Sequence, residues 1–459
     1  MKRYLFLLLC LLLVVGCAYT APHTVDHIMA VDKHGGPVDP ENGQVMNDPE
    51  KVMDHVRRLL PEGVNNILIF IHGGLNIVSS SNERADRLTK PMQDQGYHPI
   101  FINWSSGFVA TYQEHLFHIR QGEYWNFWGY VSSPFILVED VGRGIIRAPM
   151  VWWYQTNGFI KSVTFGHYPG EKNALAVNRM LVAEEPKRFG EVPNVVDKNG
   201  ELVSVRRRVL REGAWGAGKW ILGLTTAPIF DGLGTGAWDD MKRRTELTVT
   251  RSRKESESSH DDVGNYVKER EGGLVPLFEE LQRRQQNQKG LKIVLIGHSM
   301  GTIIANTILR QWPEIKYDRI VYMAAACSLK DFDASVTPQL RSNPDARFYN
   351  YMLHPIAENQ EAHMYGLGGT GTLLNQIDNI YENAAATNHR TLGKWENVMS
   401  GINFFDVEDV RSRIYLRTMP LDDRYPTSHG DFDDAEFNND TIGWFWQEDY
   451  GRVIKTDGT

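Results

Sequence analysis

The sequence feature that most constrains the fold is an apolar stretch that runs directly into a glycine-flanked serine. Residues 291–296 read Leu-Lys-Ile-Val-Leu-Ile, and Gly297-His298-Ser299-Met300-Gly301 follows at once. Residues 302–310 contain no Pro or Gly, which favours a helix. A Gly-x-Ser-x-Gly sequence between a strand and a helix predicts a tight turn. Such a turn lifts the Ser299 hydroxyl above the end of a sheet, where a base can reach it.

A second glycine-rich turn lies far upstream. Residues 66–71 form another apolar run, which ends in His72-Gly73-Gly74. Glycine at such a turn lets the backbone approach a ligand without a Cβ in the way. Each motif alone is a weak signal, but the glycine turn and the serine turn together, in this order, make a stronger one.

With both motifs in this order, the chain resembles the α/β-hydrolases, and among them bacterial serine-esterase-like proteins with a Gly-His-Ser-Met-Gly turn. The resemblance covers about residues 50–108 and 260–450. It implies an α/β fold with a mostly parallel central sheet flanked by helices. It also implies an oxyanion hole built from the backbone N–H of Met300 and that of Gly74 or Leu75.

The same resemblance implies that a carboxylate and then a histidine follow the serine along the chain. His429 is the only histidine after residue 389, so it is the predicted base. It lies in a loop beside Gly430, where an imidazole ring has room to turn over a serine. His298 is fixed next to Ser299 by the tight turn and is therefore expected to point elsewhere.

The acid of the catalytic triad is less well defined by the sequence. It is expected a few residues after the predicted strand at 347–353, and Glu358 fits that spacing best. Its role would be to hold the imidazole in the correct tautomer and to stabilise the imidazolium. Glu361 is an open alternative, and so are two residues after the strand at 320–326, namely Asp331 and Asp333.

The amino terminus has the pattern of an exported lipoprotein. Residues 1–16 combine a basic start with an apolar run that is too short for a full membrane span. Val14-Val15-Gly16-Cys17 resembles the bacterial lipobox, which implies lipidation of Cys17 and an anchor on the membrane surface. The residue after Cys17 is Ala18 rather than Asp, a pattern that resembles lipoproteins sorted to the periplasmic face of the outer membrane. Residues 17–48 are predicted to be a tether.

From residue 49 onward, the composition predicts a core that is interrupted by one insertion. Residues 49–108 are predicted to form the first part of the hydrolase core, and 263–459 the second part with nucleophile and base. Residues 109–262 are aromatic-rich and are predicted to be a mainly helical insertion that forms a cap. Apolar groups on a cap would favour an acyl or aryl substrate. The alternative is that these aromatics are the core of a helical subdomain.

The formal net charge of −8 argues against nucleic acid as a partner. The chain lacks the Cys-pair spacing typical of metal sites, and no metal or other cofactor is predicted. The expected substrate is a small-molecule or lipid ester, cleaved at the cell envelope through an acyl-enzyme. Thioesterase, amidase and acyltransferase activities remain open, as does a non-catalytic binding protein at the membrane surface.

Overall fold

The computed structural model divides the chain into two compact units. Unit 1 comprises Met1–Gly142 and Leu233–Leu291, and unit 2 comprises Arg143–Gly232 and Lys292–Thr459. The structure describes residues 21–164, 213–251, 271–361, 371–402, 405–422, 424–439 and 442–451, together with short pieces within 176–201 and 259–267.

Unit 1 contains four strands of mostly parallel sheet. The third and fourth strands pair in parallel with Ile67 opposite His98, and the first strand adds in parallel with Ile28 opposite Phe101. The second strand pairs antiparallel to the first. Nearly every residue of the third strand is buried, as expected for a continuous apolar run in a parallel sheet. The strands are β1 (Ile28–Val31), β2 (Pro37–Val38), β3 (Asn66–Ile71) and β4 (His98–Trp104).

The first two strands correct the predicted tether. All four residues of β1 are buried within the sheet. The His55 ring also makes a 2.8 Å hydrogen bond from Nε2 to the Ile28 carbonyl. The sequence signal was missed because a four-residue apolar run shows no useful periodicity. Within the part of residues 17–48 that the structure describes, the chain from residue 28 to residue 38 is therefore part of the folded body.

Helices cover the strands of unit 1. The helix that begins at Pro49 starts where the Asp48 carboxylate accepts a 3.0 Å hydrogen bond from the Glu50 N–H, a standard N-cap. The helices are α1 (Pro49–Leu59), α2 (Val78–Asp94), α3 (Phe108–Phe117) and α6 (Val275–Asn287); two small hairpins are β5 (Ile119–Arg120) with β6 (Glu123–Tyr124) and β7 (Ser259–His260) with β8 (Tyr266–Val267).

Two long helices, α4 (Phe127–Thr164) and α5 (Gly213–Leu247), account for most of the described part of the predicted insertion. Their aromatic residues do not share one environment, because Trp238 is buried whereas Trp128 and Trp153 are exposed. Some aromatic residues of the predicted insertion are therefore packed in the interior, and others lie on the surface. Among the described residues, no helix is both long enough and apolar enough to cross a membrane.

Unit 2 contains four parallel strands in the order β9, β10, β11, β12. Their ends are in register, because Met323 lies opposite both His298 and Tyr351, and Met352 lies opposite Thr418. The carboxyl ends of parallel strands form one edge, where α/β proteins commonly place their sites. The strands are β9 (Lys292–His298), β10 (Arg319–Met323), β11 (Arg347–Met352) and β12 (Ile414–Thr418).

The helices of unit 2 follow these strands. A capping box formed by Ser328 and Asp331 begins the longest of them. The helices are α7 (Gly301–Gln311), α8 (Leu329–Ser342), α9 (Pro355–Gln360), α10 (Leu373–Gln376) and α11 (Trp395–Gly401). Short 3-10 or π turns in the chain occupy Val25–His27, Ile377–Tyr381, Thr387–His389, Arg411–Arg413, Asp431–Asp433 and Ala435–Phe437. The coarse prediction of an α/β fold with mostly parallel sheet flanked by helices is confirmed.

Candidate active site

Ser299 occupies the tight turn between β9 and α7. Its φ of 51° lies in the left-handed region, which a non-glycine residue adopts only at a cost. The turn is held because the Ser299 N–H donates to the Met323 carbonyl at 2.9 Å, and the Ser299 carbonyl accepts from the Ala326 N–H at 3.1 Å. A Cβ on Gly297 would lie only 3.0 Å from the backbone of Thr302. Glycine is therefore needed where the strand enters the turn.

The structure brings the predicted nucleophile and the predicted base together. His429 Nε2 lies 2.8 Å from Ser299 Oγ. The two residues are separated by 130 positions in sequence, so the contact depends on the fold. Both are buried, with 1% of Ser299 and 9% of His429 exposed. The geometry is that of a hydroxyl whose proton an imidazole can remove.

The peptide groups of His429 are held from both sides. Its N–H donates to Glu361 Oε2 at 2.7 Å. Its carbonyl lies 3.0 Å from His298 Nε2. The base therefore projects from a backbone that is fixed by two side chains of the same unit.

His298 makes a contact with the predicted base that the sequence did not predict. A carbonyl oxygen can only accept, so His298 Nε2 must carry a proton toward the His429 carbonyl. Its other nitrogen, Nδ1, lies 3.3 Å from the buried Asp433 carboxylate. The only available signal was its place in the Gly-x-Ser-x-Gly turn, and that signal does not reveal a partner 131 residues away.

Among the four candidate acids, Glu361 is the one whose carboxylate accepts a hydrogen bond from His429 itself. The Glu358 carboxylate instead accepts from the Thr372 hydroxyl. Asp331 is engaged in the helix cap with Ser328. Asp333 lies on α8. The structure thus places the second-choice acid, not the first, against the backbone N–H of the predicted base.

Burial changes the acidity of both glutamates. It raises the pKa of Glu361 to about 7, opposed by the hydrogen bond from the His429 N–H. It raises the pKa of Glu358 to about 8, opposed by the positive charge of Lys394 and by the Thr372 hydroxyl. Glu361 therefore changes its charge near neutral pH, which is where a group beside a catalytic base would influence the rate.

The predicted oxyanion donors lie in different units. In unit 2, Met300 directly precedes α7, and its N–H has no hydrogen-bond acceptor among the described residues. In unit 1, the N–H of Leu75 already donates to the Ser106 carbonyl at 2.9 Å. Within the described chain, the Gly74 N–H has no such acceptor. Of the two unit 1 candidates, Gly74 is therefore the better donor.

Other nucleophiles and ligand sets are not favoured. Burial raises the pKa of the Cys327 thiol to about 12, so this thiol stays protonated at neutral pH. No group of three or more potential metal ligands occurs among the residues that the structure describes. The predicted lipidation residue, Cys17, lies outside the described residues.

Comparisons with protein-family models, with curated proteins and with solved structures found no match to this chain.

Proposed function

We propose that this protein is a serine hydrolase of the α/β-hydrolase type that cleaves carboxylic esters. The observation that carries the proposal is the 2.8 Å contact between Ser299 Oγ and His429 Nε2. It gains support from the left-handed φ of Ser299, because backbone strain at a reactive serine is typical of the nucleophile turn in this fold.

In the proposed reaction, His429 removes the Ser299 proton as the hydroxyl oxygen attacks the ester carbonyl. The N–H of Met300 stabilises the negative charge on the carbonyl oxygen. His429 then returns the proton to the departing alkoxide, which leaves an acyl group on Ser299. A water molecule, deprotonated by the same imidazole, releases the acid and restores the serine.

In this scheme Glu361, rather than Glu358, is the carboxylate that supports the base. Its hydrogen bond to the His429 N–H fixes the backbone, and its negative charge favours the imidazolium that forms during the reaction. His298 fixes the carbonyl of the same residue. We treat His298 as a positioning residue, because it acts through His429 and does not contact the reacting atoms.

The lipoprotein pattern at residues 1–17 supports a location of this activity at the bacterial envelope, on the periplasmic face of the outer membrane. The proposed substrate is therefore a small-molecule or lipid ester that reaches the membrane surface. Thioester or amide cleavage and acyl transfer would use the same groups. The burial of Ser299 favours one further alternative, a non-catalytic binding protein derived from this fold.

A fluorophosphonate ester tests the proposal, because it reacts only with an activated serine. The detergent-solubilised full chain is compared with Ser299→Ala and His429→Ala. We expect covalent labelling of the parent and none of either variant. An unlabelled parent with a cooperative thermal transition would refute the hydrolase and support the binding protein.

A further inference from the structure

A cavity of about 280 Å³ lies within unit 2, apart from the residues assigned to the reaction. It is lined by the carboxyl-terminal part of α4, by α9, by the segment from 375 to 380, and by the segment from 390 to 396. We call it the amide pocket. Its volume is close to the lower end of ligand sites, roughly 300–1,000 Å³, so it suits a small ligand.

Among the described residues that line the amide pocket, six side chains are carboxamides and only Ile380 is aliphatic. A carboxamide offers both an acceptor oxygen and donor N–H groups without carrying a charge. The carboxamides are Gln155, Asn157, Asn359, Asn375, Gln376 and Asn379.

Part of this wall is fixed by bonds to the protein. Asn375 donates from Nδ2 to the Glu358 carbonyl at 2.9 Å and accepts from Lys394 Nζ at 2.6 Å. Asn359 donates from Nδ2 to the Pro355 carbonyl at 2.7 Å. Side chains held in this way lose little conformational freedom when a ligand binds, which favours affinity.

The charges in the amide pocket are close to balance. Lys394 Nζ lies 3.3 Å from the buried Asp378 carboxylate. The two other charged side chains in the lining, Arg390 and Glu396, have opposite signs. An anionic ligand would therefore find no excess of positive charge, and an apolar ligand would face a lining in which polar side chains predominate.

We infer that the amide pocket binds a neutral ligand rich in hydroxyl groups, of the size of one or two sugar rings. Hydroxyl groups need donors and acceptors side by side, which carboxamides supply. The Tyr154 ring in the lining offers a flat surface for the C–H face of a sugar. The inference does not depend on the proposed hydrolase, because it uses neither Ser299 nor His429.

Saturation-transfer NMR on the full chain tests this inference with four probes: N-acetylglucosamine, maltose, octanoate and inorganic phosphate. We expect signal transfer to at least one sugar, and to neither octanoate nor phosphate. Transfer should persist in Ser299→Ala, so failure of the hydrolase proposal and failure of this one are distinguishable. Absence of transfer to both sugars, or transfer to phosphate or octanoate in their place, would overturn the inference.

Two lining variants locate the binding. Asn157→Leu and Asn379→Leu each replace a half-buried carboxamide by a side chain of similar size without hydrogen-bonding groups. We expect each to weaken sugar binding roughly ten-fold. The control, Asn287→Leu, changes an exposed Asn at the end of α6 and should bind as the parent does. If a leucine variant fails to fold, the corresponding alanine variant, Asn157→Ala or Asn379→Ala, is measured in its place. Unchanged sugar binding in folded lining variants would show that the sugar lies elsewhere and refute the assignment.

Discussion

The turns after β3 and β9 share a local design but differ in what completes their hydrogen bonds. Each follows a buried parallel strand, contains a histidine and places a non-glycine residue at positive φ: Leu75 at 65° and Ser299 at 51°. In the first turn the Leu75 N–H is used by Ser106 of the same unit. In the second, the Ser299 hydroxyl meets an imidazole from a distant loop. Backbone strain alone therefore does not mark a reactive turn.

The histidines of the two turns, His72 and His298, differ in which ring nitrogen carries the proton. His72 accepts at Nε2 from the Trp104 N–H at 3.1 Å, so Nδ1 carries the proton and donates to the Gly73 carbonyl at 2.7 Å. His298 must carry its proton on Nε2, where it faces the His429 carbonyl. His72 stabilises its own turn, whereas His298 stabilises the loop that carries His429, the proposed base.

The largest expected effect separates the two turns by their serines. Ser299→Ala removes the proposed nucleophile and should lower ester hydrolysis by roughly 10⁴-fold or more. Ser106→Ala removes a hydroxyl that lies 3.3 Å from the Gly73 and Asn76 carbonyls, so it should loosen the first turn and lower kcat by about ten-fold at most. Steady-state hydrolysis of a p-nitrophenyl ester measures both. Equal losses in the two variants would contradict the difference between the turns.

The next largest effect concerns Glu358 and Glu361, the two glutamates that follow β11 in unit 2. Glu361→Gln removes the negative charge beside the His429 backbone, although Gln can still accept from the His429 N–H, and should lower kcat by roughly 10²-fold. Glu358→Gln, its matched control on the same helical segment, should keep kcat within about ten-fold because Gln still accepts from Thr372. The reverse order of the two variants would restore Glu358 as the acid.

The pH profile sharpens this assignment. In the proposed scheme the carboxylate form of Glu361 supports the base, and burial raises the pKa of Glu361 to about 7. Activity of the parent should therefore rise with pH through about 7 as the proton leaves. If kcat of the parent stayed constant between pH 6 and pH 8, the proposed role of Glu361 in the reaction would be wrong.

The third effect compares the histidines directly. His298→Leu leaves the His429 carbonyl without its donor and the buried Asp433 carboxylate without its neighbour, so the base should shift. Displacement on the order of 1 Å costs about 10²-fold in rate. His298→Asn, which retains a donor, should recover part of kcat while KM stays unchanged.

His72→Leu is the control for that comparison. It removes the acceptor of the Trp104 N–H, and leaving such a buried group unpaired costs about 1–3 kcal/mol of stability. We expect a lower thermal midpoint with a smaller loss of fluorophosphonate labelling rate than in His298→Leu. A purely structural role for His298 would instead give the two variants the same ratio of stability loss to rate loss.

These contrasts also explain how far the sequence alone could go. Ser299 and His429 were predictable because one follows from a local turn motif and the other is the only late histidine. Glu361 was not separable from Glu358, since both lie a few residues beyond β11 and only the path of the 429 loop decides between them. His298 and Asp433 meet through tertiary packing, which no spacing rule encodes. β1 was missed because four apolar residues carry too little periodic signal.

The smallest effect concerns stability rather than rate, and it extends the comparison to the acids behind the second turn. Burial raises the pKa of Glu358 from 4.5 to about 8, so between these values the folded state binds more protons at this site than the unfolded state. The free energy of unfolding contributed by Glu358 is therefore highest below pH 4.5 and falls as pH rises toward 8. Glu358→Gln cannot lose a proton, so its thermal midpoint should fall less than that of the parent between pH 5 and pH 8.5.

Differential scanning calorimetry across that pH range measures the difference, with Glu314→Gln as the control because Glu314 is exposed. The control should follow the parent at every pH, and the Glu358→Gln curve should separate from both as pH rises. The direction follows from the burial of Glu358, which disfavours the anion more than the Lys394 charge and the Thr372 hydroxyl stabilise it. Parallel curves for all three proteins would mean that the Glu358 carboxylate is as well solvated in the folded chain as in the unfolded one. Glu358 would then contribute no pH-dependent stability to unit 2. Ser299 and His429 would be the residues that distinguish the second turn from the first.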